Sequence, residues 1–144
     1  FPDLTVYQAL TTNKGVCHTY TYLCEFAFQQ LGIDCIRASA RMKDSDVGHM
    51  WPIVRIDGVN YHCDPTWDRN GSEVSLRYFG MTDEENEARG VENEWCNSID
   101  CALDIACSDD RFASWRDIVN YELIGNHQMK VVREDGSTEI IDLQ

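Results

Sequence analysis

The stretch "NKGVCHTYTYLCEFAFQQLG", residues 13–32, predicts an amphipathic helix that begins at a cysteine. From Tyr20 to Leu31 apolar residues recur at intervals of three and four, which is the spacing of one helical face. Gly32 is well suited to end the helix, so we expect it to span residues 17–31. Tyr22 and Phe26 lie off the apolar stripe and favour a helix that is covered on more than one side.

The position of Cys17 favours a reactive thiol. It lies three residues before Tyr20, so its side chain continues the apolar stripe at the first turn. The positive end of the helix dipole and the first backbone N–H groups favour the thiolate, which is the nucleophilic form. Gly15 allows another chain to approach closely, and the same N–H groups can bind an oxyanion. A structural cysteine packed as a small hydrophobe is the alternative for Cys17 taken by itself.

Three strand-like segments follow the helix: residues 34–42, 49–57 and 59–64. Asp57-Gly58 predicts a tight hairpin between the second and third segments. Pro52 lacks a donor N–H, so we expect its strand at a sheet edge or at a bulge.

The hairpin predicts a general base and its orienting carboxylate. A two-residue turn at Asp57-Gly58 pairs residues whose numbers sum to 115, so Trp51 faces Asp64. His49 shares a face with Trp51, which places His49 and Asp64 diagonally, about 7–8 Å apart at the backbone. An imidazole and a carboxylate can span that gap. His18 points away from Cys17 on the helix, whereas His62 and His127 stay possible as alternatives.

The rest of the chain predicts mixed secondary structure. Residues 65–81 resemble an irregular loop, Thr82 begins a short polar helix with a capping box, and residues 90–110 resemble a second irregular loop. Ser114 is a possible cap for a helix that ends at Gly125, and Asp135-Gly136 predicts a final hairpin. The fold class is therefore α+β, with helices and antiparallel strands in one domain over residues 1–144.

Composition narrows the possible partners. A formal net charge of −13 disfavours nucleic acid and anionic membranes, and no apolar run reaches the about 18 residues of a membrane span. The spacing of the seven cysteines matches no common zinc pattern. One disulfide among Cys96, Cys101 and Cys107 is possible. The first residue is not Met, so we expect a processed piece of a longer chain.

Three ordered motifs resemble the bacterial branch of the transglutaminase-like superfamily. They are "GVCHTYTYLCEFAFQQLGIDC", "GHMWPIVRIDGVNYHCDPTWD" and "RYFGMTDEE", which together lie within residues 7–85. The resemblance implies a papain-like core, with a central helix carrying the cysteine on an antiparallel sheet that carries histidine and aspartate. Cys17, His49 and Asp64 match the three catalytic positions. Met50 and Pro52 differ from the usual alanine and asparagine, and residues 90–144 match less.

We therefore expect a cysteine-dependent enzyme that acts on amide bonds of a peptide or protein through a thioester. Bacterial relatives imply hydrolysis by a peptidase or amidase, with protein-crosslinking transglutamination as an alternative. A non-catalytic module that binds a peptide or glycan is the rival of a different class. No metal or other cofactor is required, and no calcium-loop motif is present. The resemblance favours an extracellular or cell-surface location over a cytoplasmic one, and the oligomeric state stays open.

Overall fold

Helix α2 packs against the central strands of an antiparallel sheet in the computed structural model, which describes residues 5–12, 14–96 and 105–143. The helices are α1 Val6–Thr12, α2 Cys17–Gln30, α3 Pro65–Asp68 and α4 Asp83–Ala88. The strands are β1 Cys35–Met42, β2 Gly48–Ile56, β3 Val59–His62, β4 Arg69–Asn70, β5 Glu73–Val74, β6 Val91–Cys96, β7 Ile118–Ile124, β8 Gln128–Arg133 and β9 Thr138–Asp142. The described residues confirm the α+β class with antiparallel sheets.

The predicted helix over residues 17–31 is confirmed as α2, which begins at Cys17. Its best-buried residues are Thr19 and Thr21, and Phe28 packs on the cluster around Val54 and Tyr61. The expectation that α2 is covered on more than one side is wrong for the described residues, because Phe26 is 60% exposed.

The hairpin at Asp57-Gly58 is confirmed, with Ile56 opposite Val59 and Val54 opposite Tyr61. Both turn residues have positive φ, 52° for Asp57 and 81° for Gly58. Such a turn matches the right-handed twist of its strands and keeps the register that places His49 and Asp64 on one face.

Pro52 is not on an edge strand, which corrects the prediction. The main sheet has the order β3-β2-β1-β6, so β2 is central, and Pro52 pairs with Arg37. The carbonyl of Pro52 accepts from the N–H of Cys63, one residue beyond the end of β3. Since the N–H and C=O of a strand residue point the same way, the missing donor falls where the β2–β3 pairing ends.

Two predictions for the second half of the chain are wrong. Residues 91–96, expected in a loop, form β6 along β1, because their backbone groups complete the open edge of the sheet. Instead of a helix ending at Gly125, residues 113–115 form a short 3₁₀ turn and residues 118–124 form β7. Strand β7 belongs to a separate sheet in the order β7-β8-β9, in which Ile118 and Val131 are fully buried in one apolar cluster.

The final hairpin, β8 and β9, is confirmed and belongs to that three-stranded sheet. Its core contains Leu76, which joins it to the loop after β5 through the bond from the Leu76 N–H to the Ile118 carbonyl. Cys101 lies outside the described residues, so the possible disulfide stays an open alternative.

Candidate active site

Cys17 is the first residue of α2, and hydrogen bonds hold this helix end against β2. The Val16 N–H donates to Thr19 Oγ1 at 3.3 Å, just before the helix begins. The Thr21 hydroxyl contacts the Cys17 carbonyl at 2.8 Å and the Met50 carbonyl at 3.1 Å. Since Met50 follows His49, the buried Thr21 fixes the start of the helix beside the histidine strand.

His49 and Asp64 are in direct contact, as the hairpin parity predicts. His49 Nε2 lies 2.5 Å from Asp64 Oδ2, and the two residues are 8% and 0% exposed. The imidazole lies between aromatic rings, with centroids 5.8 Å from Trp51 and 5.5 Å from Trp67. These contacts restrict the ring to one plane, so His49 is held in a single orientation.

The thiol of Cys17 is hydrogen-bonded to His49, which lowers the pKa of Cys17 more than burial raises it. Backbone N–H groups of Met50 and His18 also stabilise the thiolate. Burial favours neutral His49, but hydrogen bonds to Asp64 and Cys17 outweigh it and raise the pKa of His49 to about 9. Because Nε2 is engaged by Asp64, Nδ1 is the ring nitrogen left to bond the Cys17 thiol. Both shifts favour the thiolate and imidazolium forms of the pair, compared with an isolated thiol and imidazole.

Asp64 is a fully buried carboxylate held by donors on both oxygens. Oδ1 accepts the N–H groups of Thr66 and Trp67, each at 3.1 Å, so Asp64 also caps α3. Burial favours the neutral acid, but the hydrogen bond and charge of His49, followed by the charge of Arg89, hold the pKa of Asp64 below its usual range. Asp64 therefore stays ionised beside His49.

Arg89 is a site residue that the sequence reasoning missed. Its Nη1 donates to Asp64 Oδ2, its Nε donates to Asn86 at 2.8 Å, and its side chain is 5% exposed. The guanidinium lies 4.8 Å from the ring centroids of both Trp51 and Trp67. A single arginine after a polar helix, 25 residues from Asp64, carries no sequence signal for this contact.

In three other cysteines the pKa of the thiol is raised, whereas that of Cys17 is lowered. Burial raises the pKa of Cys24 to about 11, and that of Cys35 and of Cys63 to about 12. Cys63 is 5% exposed, whereas Cys24 and Cys35 are only half-buried. At neutral pH their thiols stay protonated, so Cys17 differs from them chemically.

His62 was an alternative general base by sequence, but both of its ring nitrogens are hydrogen-bonded to residues other than Cys17. Trp51 Nε1 donates to His62 Nδ1 at 2.9 Å, and His62 Nε2 lies 2.8 Å from Asp83 Oδ1. Since an indole N–H can only donate, the ring proton of neutral His62 is on Nε2 and points at Asp83. His62 therefore fastens α4 to β3. His127, the other alternative, is exposed in the turn between β7 and β8.

The His62 tautomer, with its proton on Nε2, does not suit a metal site at His62, Asp83 and Cys107. Ligand atoms of His62, Asp83 and Cys107 lie within 4.8 Å of one another, close enough for a metal ion. A metal on Nε2 would displace the last ring proton of His62, because Nδ1 already accepts from Trp51. A ligating histidine normally donates its second N–H, so the set does not fit a metal.

Asp68 holds the loop beside the site through hydrogen bonds to one carboxylate oxygen. Its Oδ1 accepts the Ser75 hydroxyl at 2.6 Å and the Tyr78 N–H at 2.9 Å. Burial raises the pKa of Asp68 to about 6.

No protein-family model, curated protein or solved structure matches this chain. In the described part of the chain, no helix has the length and apolar character needed to cross a membrane. The function is therefore inferred from the geometry around Cys17 and from the motif resemblance.

Proposed function

We propose that the protein is a transglutaminase-like cysteine enzyme that hydrolyses amide or peptide bonds, with a papain-like core formed by α2 and the main sheet. The hydrogen-bonded relay from Cys17 through His49 to Asp64 carries this proposal, because it joins a nucleophile, a base and an orienting group. Three motifs that resemble the superfamily support the same assignment.

In the proposed reaction the Cys17 thiolate attacks the carbonyl carbon of an amide. The His49 imidazolium transfers its Nδ1 proton to the leaving nitrogen, so ammonia or an amine departs and a thioester forms. Neutral His49 then takes a proton from water, which attacks the thioester and releases a carboxylic acid and the thiolate. Asp64 stays ionised throughout and holds His49 Nε2. The backbone N–H groups of Cys17 and His18, at the start of α2, are candidate oxyanion donors, since the first N–H groups of a helix have no carbonyl of the preceding turn to donate to.

Hydrolysis is favoured over transamidation because Cys17 is partly exposed, which gives water access to the thioester. Crosslinking requires an amine to compete with that water. The two outcomes differ in product, so ammonia release and amine incorporation from one glutaminyl peptide distinguish them.

Alkylation with iodoacetamide at pH 7, followed by peptide mass mapping, tests the activated thiol. We expect Cys17 to react at least about 100-fold faster than Cys24 or Cys63, because thiolate is the reactive form. His49→Ala should abolish the selectivity, whereas His127→Ala, in an exposed turn, should retain it. Equal labelling rates would favour the non-catalytic binding module.

A covalent intermediate is the second readout. Incubation with a glutaminyl peptide library should leave an acyl adduct on Cys17, detected as a mass increase on the peptide containing residue 17. The adduct should accumulate in His49→Ala only to a trace, since the leaving nitrogen then lacks its proton donor. Failure to acylate the wild-type protein would contradict the enzymatic proposal.

A further inference from the structure

A cavity of about 290 Å³ adjoins the candidate active site at Trp67. Its lining consists of Trp67, Arg69, Ser75, Arg77, Tyr78 and Val119. Trp67 connects it to the relay, because the ring centroid of Trp67 lies 5.5 Å from that of His49. A substrate that extends past His49 along Trp67 would enter this cavity.

The cavity has an unusual charge for this protein. Among the residues that the structure describes, two arginines and no carboxylate line it, although the chain has a net charge of −13. Three other cavities, lined by segments within residues 82–110, 41–92 and 32–58, each contain at least one carboxylate. The nearby Asp68 is 5% exposed, and its Oδ1 accepts from Ser75 and Tyr78. A cleft lined by charges of one sign concentrates ligands of the opposite sign.

Arg69 lies along the side of α2 from which Cys17 projects. It donates to the Tyr20 hydroxyl, and its guanidinium is 5.6 Å from the Tyr20 ring centroid. Residues three apart on a helix share a face, so Tyr20 lies on the same face as Cys17, about one turn further toward the C-terminal end of α2. A carboxylate near Arg69 would therefore belong to a group close to the attacked carbonyl.

Arg77 can exchange its partner for a ligand. It pairs with Glu134 at 3.2 Å, and the Glu134 side chain is 68% exposed. Ion pairs this exposed are weak, so a substrate carboxylate can displace Glu134. Arginine suits the task because its planar fork of donors matches the two oxygens of a carboxylate.

We infer that this cavity binds a carboxylate of the acyl-donor substrate, so that the enzyme prefers amides in acidic peptides. The inference rests on the proposed function. The carboxylate comes from an acidic side chain next to the target amide or from a peptide C-terminus.

Two alkylating agents of similar size and different charge test the inference on the folded protein. The ratio of the iodoacetate rate to the iodoacetamide rate at Cys17 measures attraction of a carboxylate. We expect Arg77→Gln to lower this ratio by about two- to fivefold, since one unit charge at about 4 Å in water changes a rate by roughly fivefold. Glu134→Gln should raise the ratio, because it removes the competing carboxylate, and Arg77→Lys should largely preserve it.

Arg111→Gln is the matched control. It removes the same charge, but Arg111 pairs with Asp57 at the far end of the β2–β3 hairpin. His49 and Asp57 are eight residues apart, about 26 Å along an extended strand. Its ratio should equal that of the wild type. An equal fall in Arg77→Gln and Arg111→Gln would overturn the inference, because it would show a general charge effect.

Ammonia release from three peptides distinguishes the two carboxylate sources. The peptides are acetyl-glutaminyl-glutamate amide, acetyl-glutaminyl-glutamine amide and acetyl-glutaminyl-glutamine with a free C-terminus. Preference for the first supports an acidic side chain, and preference for the third supports a C-terminal carboxylate. Equal kcat/KM for all three overturns the inference. Absence of selective iodoacetamide labelling at Cys17 refutes the proposed function instead, whereas selective labelling with a ratio that Arg77 does not affect refutes only the cavity.

Discussion

Replacing Arg89 with methionine should destabilise the protein through Asp64. Methionine retains an unbranched chain between Trp51 and Trp67, so packing changes little while the charge is lost. Asp64 is fully buried and, within the described part of the chain, would keep His49 and two backbone N–H groups as its donors. The change therefore isolates the contribution of one buried guanidinium to a buried carboxylate.

The expected magnitude follows from that burial. A pair of unit charges at about 4 Å interacts by roughly 4 kcal/mol at an effective dielectric constant of about 20. Removing one partner of a buried pair typically costs about 3–5 kcal/mol, because the other charge is left buried. Since Asp64 keeps His49, we expect the lower end, about 3 kcal/mol in the free energy of unfolding.

Urea denaturation of four proteins measures the coupling: the wild type, Arg89→Met, Asp64→Asn and the double variant. The double variant should lose about 2 kcal/mol less than the sum of the single losses, because neither partner is then left as a lone buried charge. Arg55→Met, which removes an exposed arginine from β2, is the control and should stay within about 0.5 kcal/mol of the wild type. Additive losses for Arg89 and Asp64 would refute the reasoning.

Two further predictions concern the residues that hold the site. Burial raises the pKa of Asp68 from an ordinary 3.8 to about 6, so the contribution of its protonated form to folding stability is fully present below pH 3.8 and is lost as pH rises through about 6. Asp68→Asn retains an Oδ1 acceptor but has no proton to lose. It should therefore remove about 2–3 kcal/mol of the fall in folding stability between about pH 4 and pH 7, which melting temperatures over that range would follow. A pH profile equal to that of the wild type would contradict this prediction. Thr21→Val should cost about 1–2 kcal/mol and slow Cys17 alkylation, whereas Thr11→Val, on exposed α1, should leave the alkylation rate unchanged.

Much of the candidate site was predictable because it depends on local rules. The strand parity of a two-residue turn at Asp57-Gly58 placed His49 and Asp64 on one face, and the register is as expected. The start of α2 at Cys17 followed from apolar spacing and glycines. These features depend on neighbours along the chain or across one hairpin, which the sequence displays directly.

Other features depended on segments that are distant in sequence. The residues between Ser114 and Gly125 are compatible with a helix or a strand, and they form strand β7 because they pair with β8. Pro52 was compatible with a central strand only because β3 ends opposite its missing donor. In both cases the partner strand selected the structure, because backbone hydrogen bonds must be satisfied across the whole sheet.

The sequence by itself determined a helix that begins at Cys17 and a hairpin that aligns His49 with Asp64. Only the tertiary structure decided that Arg89 lies on Asp64, because the position of α4 depends on the bond between His62 and Asp83. A buried carboxylate needs donors from wherever the chain can supply them, and spacing along the sequence does not record which distant arginine packs there.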